Sequence, residues 1–345
     1  GPALGLPALT FRAWFEAQFG ADAWEVLDKI PRLQWMDYLR WYRRVLQLDV
    51  RNEHHVKTIQ PRVDGAVELL IDAPGQPTQR VFARRVVLAT GRDGLGGASV
   101  PDFAHRLPRR WWAHSSDDMD YGTLAGKRVG VIGAGASAMD SAGTALEAGA
   151  ASVDMLIRRP DLPRVNKGKG AGSPGLVHGH VHLPDAWKWR IRHYINVEQV
   201  PPPRGSTLRV SRHPNARFNL GCGILGIDEH DGVLHVATTK GVFQLDFLIF
   251  STGFRTDWAA RPEFSALAPH VRQWRDRYTP RPGEEDAELA DSPDLGHAFE
   301  FREKTPGTLP GLSRVHCFCY PASVTHGSVS GDIPAISEGA KRLAQ

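Results

Sequence analysis

The sequence predicts an α/β fold with a Rossmann-like nucleotide domain and a β-meander, and three observations support this. Lys127 to Ala142, KRVGVIGAGASAMDSA, runs from an apolar strand through glycines straight into a helix. Ser152 to Ile157 supplies a second strand, closing a βαβ unit of the expected size. Upstream, Val50–Ile59, Ala66–Ile71 and Val81–Thr90 are strand-like runs separated by turn signals at Asp64-Gly65 and Pro74-Gly75, which is the pattern of a meander.

In chain order, Thr10 to Phe19 places Phe11, Trp14, Phe15 and Phe19 at helical spacing, and Pro31 opens a second amphipathic helix, RLQWMDYLRWYRRVL. The Trp and Tyr residues there read as core packing. The meander ends in VVLATG, and residues 92–122, rich in Gly, Pro and charge, read as a linker. After the βαβ unit the periodic pattern breaks over residues 160–203, with NKGKGAGSPG as the most flexible stretch, and this predicts an insertion or lid. Within it, Trp187 to Tyr194 reads as a short helix. Strands are predicted to resume at Leu208–Val210, Gly223–Asp228, Val233–Thr238 and Gly241–Phe250, before a loop-rich tail and a terminal helix, ISEGAKRLA.

With 345 residues, of which 41% are hydrophobic, the chain can bury a sizeable core. The formal charge of +4 suits a polyanionic dinucleotide, but no long basic run carries interleaved aromatics, so nucleic acid is not implied. Three cysteines cannot form a disulfide framework, and their odd number implies free thiols in a reducing compartment, hence the cytoplasm. Asp140, Glu147 and Asp154 interrupt the apolar stretch from Val129 to Ile157, so it is not a membrane span, and no signal peptide is visible. The expected partner is a small-molecule substrate, with no membrane and with oligomers possible.

The chemistry of the glycine run follows from its spacing. Gly133 allows the tight turn, Gly135 lets the backbone approach a pyrophosphate, and Ala138 lets the helix pack closely on its strand. The phosphates would rest on unpaired amides at the helix N-terminus. About 25 residues beyond Gly133, an NAD site normally places an Asp or Glu for the ribose hydroxyls. Here Arg158 and Arg159 stand at that point, and two guanidiniums suit a 2′-phosphate, so NADPH is favoured over NADH.

Val86–Gly91, VVLATG, and Leu248–Phe254, LIFSTGF, are each a buried strand ending in Thr-Gly. With the cradle between them and Gly331-Asp332 ahead of a helix, the chain resembles the two-dinucleotide-domain flavoproteins, and among them the flavin-containing monooxygenases and their N-hydroxylase relatives. The resemblance implies an NADPH domain (residues 123–255, lid about 160–203) inserted into a partial FAD domain (1–122 and 256–345). It implies that Thr90 and Gly91 lie near FAD and that Thr252 and Gly253 form the return crossover. Gly133, Gly135, Ser137 and Asp140, with Ala136 and Ala138 between them, match the family's G-x-G-x-S-x-x-D signature, and Asp332 resembles the Asp that holds the flavin ribityl chain. The family's F-x-G-x-x-x-H-S-x-x-Y signature is matched loosely by Phe103, His114, Ser115 and Tyr121. The family begins with a further glycine-rich βαβ unit for the FAD pyrophosphate, and Gly1 lies downstream of where that unit would sit. The expectation is therefore a chain lacking its FAD unit and holding FAD weakly or not at all.

By this resemblance NADPH reduces FAD, and a flavin hydroperoxide oxygenates a nucleophilic N, S or carbonyl group. No protein residue is singled out as a catalytic acid or base. The alternatives are a flavin-dependent NADPH oxidase or reductase, and a non-catalytic nucleotide-binding module. Lys167 and Lys169 could touch cofactor phosphates, although a solvated loop is the plainer reading. His178, His180 and His182 alternate without a convergent further ligand, so no metal is expected. Cys317-Phe-Cys319 has one residue between its thiols, where a thioredoxin-like pair has two, and no G-x-S-x-G elbow is present.

Overall fold

The computed structural model describes residues 5–331 and 333–345, and the chain divides into two compact units. The first takes the chain as far as Gly96, then Gly170–His193 and Thr256–Gln345; the second takes Gly97–Lys169 and Tyr194–Arg255.

The first unit opens with helices Phe11–Phe19, Ala21–Glu25 and Arg32–Val45. Thr10 starts the first of these by accepting a hydrogen bond from the Ala13 amide, and Pro31 is the N-cap of the third. Phe11, Trp14 and Phe15 turn inward against Tyr38 and Tyr42, and the Tyr38 hydroxyl donates to the Leu9 carbonyl at 2.6 Å. These aromatics are core packing, as their spacing predicts. The meander follows as antiparallel strands His55–Pro61, Val67–Asp72 and Gln79–Ala83. The single strand expected over Val81–Thr90 is in fact two. The chain bends at Arg84 and Arg85, which are both exposed, and Val86–Leu88 then pairs in parallel with Val315–Cys317.

The second unit is built on a five-stranded parallel sheet in the order Trp112–His114, Phe247–Phe250, Arg128–Ile132, Ser152–Ile157, Ala216–Leu220. The helix Ala136–Glu147 packs its small residues Ala138, Ala142 and Ala145 against Val129, Val131, Val153 and Met155. A separate antiparallel sheet holds Ile224–His230, Val233–Thr238 and Gly241–Leu245.

Several expectations change here. Residues 92–122 are no mere linker, because Trp112–His114 is a fully buried edge strand of the parallel sheet. Leu208–Val210 lies in the helix Arg204–Ser211, and the neighbouring strand Ala216–Leu220 went unpredicted. Gly241–Phe250 breaks at Asp246, whose carboxylate accepts from the Arg128 amide and guanidinium, and the two halves join different sheets. The 160–203 stretch is substantially helical, with Pro174–Gly179 and the 14-residue Asp185–Glu198. The short helix expected over Trp187–Tyr194 is thus present and longer at both ends, and Lys188 and Arg192, buried beside Trp189, make its inward face too polar for its full length to show as hydrophobic periodicity.

Candidate functional site

The glycine run lies where its spacing places it, between the strand Arg128–Ile132 and the helix Ala136–Glu147, at the carboxyl end of the parallel sheet. Its two glycines do different work. Gly133 has φ +135°, and a Cβ there would sit 2.4 Å from the Ser251 carbonyl oxygen, so this position is glycine because the fold requires it. Gly135 has φ −83° and ψ −175°, a conformation open to any residue, and a Cβ there would meet nothing within 4 Å. Neither backbone nor packing explains that glycine, whereas close approach of a bound group does. No side chain caps this helix start, so its first amides remain available to an anion.

Around this start, Ala136, Ser137 and Asp140 are exposed while Ala138 is fully buried against the sheet. The Asp140 carboxylate lies 3.8 Å from the Arg209 guanidinium, which also holds Glu147. Tyr121 donates to Ser141 on the same helix, and Phe103 packs at 6.2 Å from Phe250. His114 ends the edge strand, and the Ser115 amide donates to the Phe250 carbonyl. Of the loosely matched signature, Phe103 and Tyr121 thus serve this unit's packing.

Arg158 and Arg159 follow the strand Ser152–Ile157 directly. Arg158 is exposed and has no partner among the described residues. Arg159 is partly buried and donates from Nη2 to the Val197 carbonyl at 2.6 Å. Lys167 is held at 2.7 Å by Glu198.

Thr252 and Gly253 leave the strand Phe247–Phe250 in this same unit, Gly253 at φ +81° and the Thr252 hydroxyl donating to the Ser99 carbonyl. Sequence reasoning overlooked their neighbour Ser251. Its buried Oγ has no hydrogen-bond partner among the described residues and stands beside the Gly133 turn. A buried hydroxyl so placed, at the carboxyl end of a parallel strand, is a candidate contact for a bound group.

In the first unit, Gly91 has φ +71° and the Thr90 hydroxyl donates to the Gly94 carbonyl at 2.7 Å. The Gly91 carbonyl accepts from the Tyr320 amide, the Arg92 guanidinium lies 3.4 Å over the Tyr320 ring, and the Ser330 hydroxyl bonds the Cys319 carbonyl. The Thr90-Gly91 turn is thereby brought to the 319–331 segment. Asp332 lies outside the described residues. His178, His180 and His182 fall on helical turns, not on a strand, and His180 Nε2 lies 3.0 Å from the Val324 carbonyl. Among the described residues no helix is long and apolar enough to cross a membrane.

The family model for L-lysine 6-monooxygenase/L-ornithine 5-monooxygenase matches residues 25–186. The chain is 40% identical over 343 residues to the FAD-dependent urate hydroxylase of Xanthomonas campestris pv. campestris, spanning 99% of this chain and 72% of that protein. The chain belongs to the flavin-dependent monooxygenases. Solved structures agree on the fold. The ornithine N-hydroxylase of Kutzneria sp. 744 superposes with a TM-score of 0.72 at 18% identity, covering 99% of this chain and 83% of that one. The L-lysine 6-monooxygenase of Pseudomonas syringae does so with a TM-score of 0.67 at 17% identity, covering 99% and 81%. This is the two-dinucleotide-binding flavoprotein architecture that the paired Thr-Gly strand ends and the cradle imply.

Proposed function

We propose that this chain is an FAD- and NADPH-dependent monooxygenase whose substrate is urate or a closely related heterocycle. The observation that carries the cofactor part is Gly135, a glycine that neither backbone nor packing requires, at an uncapped helix start beside the orphaned Ser251 hydroxyl. The 40% identity to a urate hydroxylase supports the substrate, since the amino-acid hydroxylases are matched at 17–18% and share the fold alone. The NADPH side is centred on residues 123–255 with Trp112–His114 as its edge strand. The FAD side is drawn from 1–122 and 256–345, with Thr90 and Gly91 facing the flavin and Thr252 and Gly253 at the crossover; Asp332 takes the ribityl role that the resemblance gives it. Flavin, when bound, supplies the electron storage and oxygen activation. The chain's own part is to hold the nicotinamide dinucleotide on the Ala136–Glu147 helix and to read its 2′-phosphate. The three buried free cysteines, with the Cys317 and Cys319 Sγ atoms 3.4 Å apart, fit a reducing compartment such as the cytoplasm.

The test is turnover with added FAD, NADPH and air. Urate should be consumed together with NADPH and dioxygen, one oxygen atom entering the product and the other leaving as water, while L-ornithine and L-lysine leave the rate at background. NADPH consumption that yields only hydrogen peroxide would replace the monooxygenase reading with that of an oxidase.

Reading of the 2′-phosphate falls mainly to Arg158, which is exposed and unpartnered among the described residues, while Arg159 is already engaged with Val197. Arg158→Ala is expected to weaken NADPH by about 1.5–3 kcal/mol, the worth of a charge-assisted contact, and to leave NADH unchanged. Arg159→Ala should cost less. Titration of both cofactors against both variants checks this, and equal affinity of the native chain for NADPH and NADH would end the idea.

A further inference from the structure

The first unit contains a cavity of about 230 Å³ lined by none of the residues assigned above to a cofactor, and among others by Lys188, Arg277, Arg302, His182, Gly296 and Thr325. Its charge is unbalanced. Asp294, fully buried, is shared by Arg272, by Arg277 at 2.6 Å and by Arg302 at 3.9 Å, and Asp185 takes the other edge of Arg277 through bonds of 2.7 and 2.8 Å. Three guanidiniums thus face two carboxylates, and Lys188 adds a fourth cation. Lys188 is only 6% exposed, and among the described residues its ammonium makes no hydrogen bond or close ion pair, the Asp185 and Asp294 charges acting on it from farther off. Burial, and after it the Arg277 charge, push its pKa down. A buried lysine left without a partner is a costly arrangement that the fold does not need for packing, since a methionine would fill the same space.

We propose that this cavity binds a compact anion with delocalised charge, held by Lys188 at its centre and by Arg302 at its rim. The volume excludes a dinucleotide, because it lies below the roughly 300–1,000 Å³ of sites for drug-sized ligands. It suits a single small ring system or an inorganic oxyanion. Thr325 and Gly296 complete the wall with their polar groups already bonded internally, to Trp274 and Pro293 and to Glu300 and His326, so the cations are left to hold the ligand. Urate, anionic at neutral pH, and inorganic phosphate share this chemistry. That the occupant is urate rests on the functional reading above; that the site exists does not.

Isothermal titration of the full chain with urate and, separately, with phosphate tests the proposal. At least one should bind, and Lys188→Met should weaken it tenfold or more while leaving NADPH affinity unchanged. Arg302→Gln, at a half-exposed position whose loss the fold will tolerate, should weaken the same ligand severalfold and keeps the test decisive if Lys188→Met misfolds. Lys188-dependent binding of phosphate without urate turnover supports the site and removes the urate reading. Failure of both probes to bind overturns the site even if urate is turned over, as does native affinity in Lys188→Met or, where that variant misfolds, in Arg302→Gln.

Discussion

Gly135→Val is expected to lose NADPH binding and keep its fold, and Gly133→Val to do the reverse in order of cause. At Gly135 the new side chain meets no protein atom within 4 Å and the backbone is extended, so the folded chain accepts it. What it fills is the approach to the first amides of the helix Ala136–Glu147. Losing two charge-assisted contacts there costs about 3 kcal/mol or more, at least a hundredfold in Kd. At Gly133 the side chain would collide with the Ser251 carbonyl at 2.4 Å, and φ is +135°. The strain of about 1–3 kcal/mol then falls on the sheet itself, and binding is lost because the turn moves. Fluorescence titration with NADPH, alongside circular dichroism and thermal melts, separates the two. Native NADPH affinity in Gly135→Val would show that the phosphates lie elsewhere.

Asp294→Asn is expected to be strongly destabilising, although it changes side-chain volume hardly at all. The carboxylate is fully buried and draws in Arg272, Arg277 and Arg302, and its own amide donates to the Arg272 carbonyl at 2.8 Å. Removing its charge leaves Arg272 and Arg302 without their carboxylate and Arg277 with Asp185 alone. Breaking a buried ion pair from one side costs roughly 3–5 kcal/mol, and the guanidiniums are a quarter to a half exposed, so about 3 kcal/mol is the expected value. For a unit of roughly 200 residues this lowers Tm by about 6–12 °C. A shift of a degree or less would mean that water already screens the cluster.

The parts legible in the sequence are those whose physics is local. The Gly133–Ala138 spacing, the apolar strands on either side, the aromatic helix faces from Phe11 to Tyr42 and the two Thr-Gly strand ends each declare themselves within a few residues. The parts that were missed depend on what a segment packs against. Trp112–His114 is too short to read as a strand, and only its pairing with Phe247–Phe250 makes it one. Val81–Thr90 and Gly241–Phe250 each look continuous because β-propensity does not record a change of sheet. The helix Asp185–Glu198 was legible only in its middle, Trp187–Tyr194, because its buried face carries Lys188 and Arg192, and hydrophobic periodicity is blind to cations that find their environment in distant residues.

By itself, then, the sequence determined a strand, glycine turn and helix start in an α/β flavoprotein, with a basic pair after the next strand, because such units are encoded by neighbours. Only the tertiary structure decided that the fold requires Gly133 and not Gly135, and that among the described residues Arg159 is engaged while Arg158, the Ser251 hydroxyl and the Lys188 ammonium make no hydrogen bond. Those distinctions are made by atoms from segments tens to more than a hundred residues apart. Whether a polar group is satisfied depends on those distant atoms, and no local pattern records it.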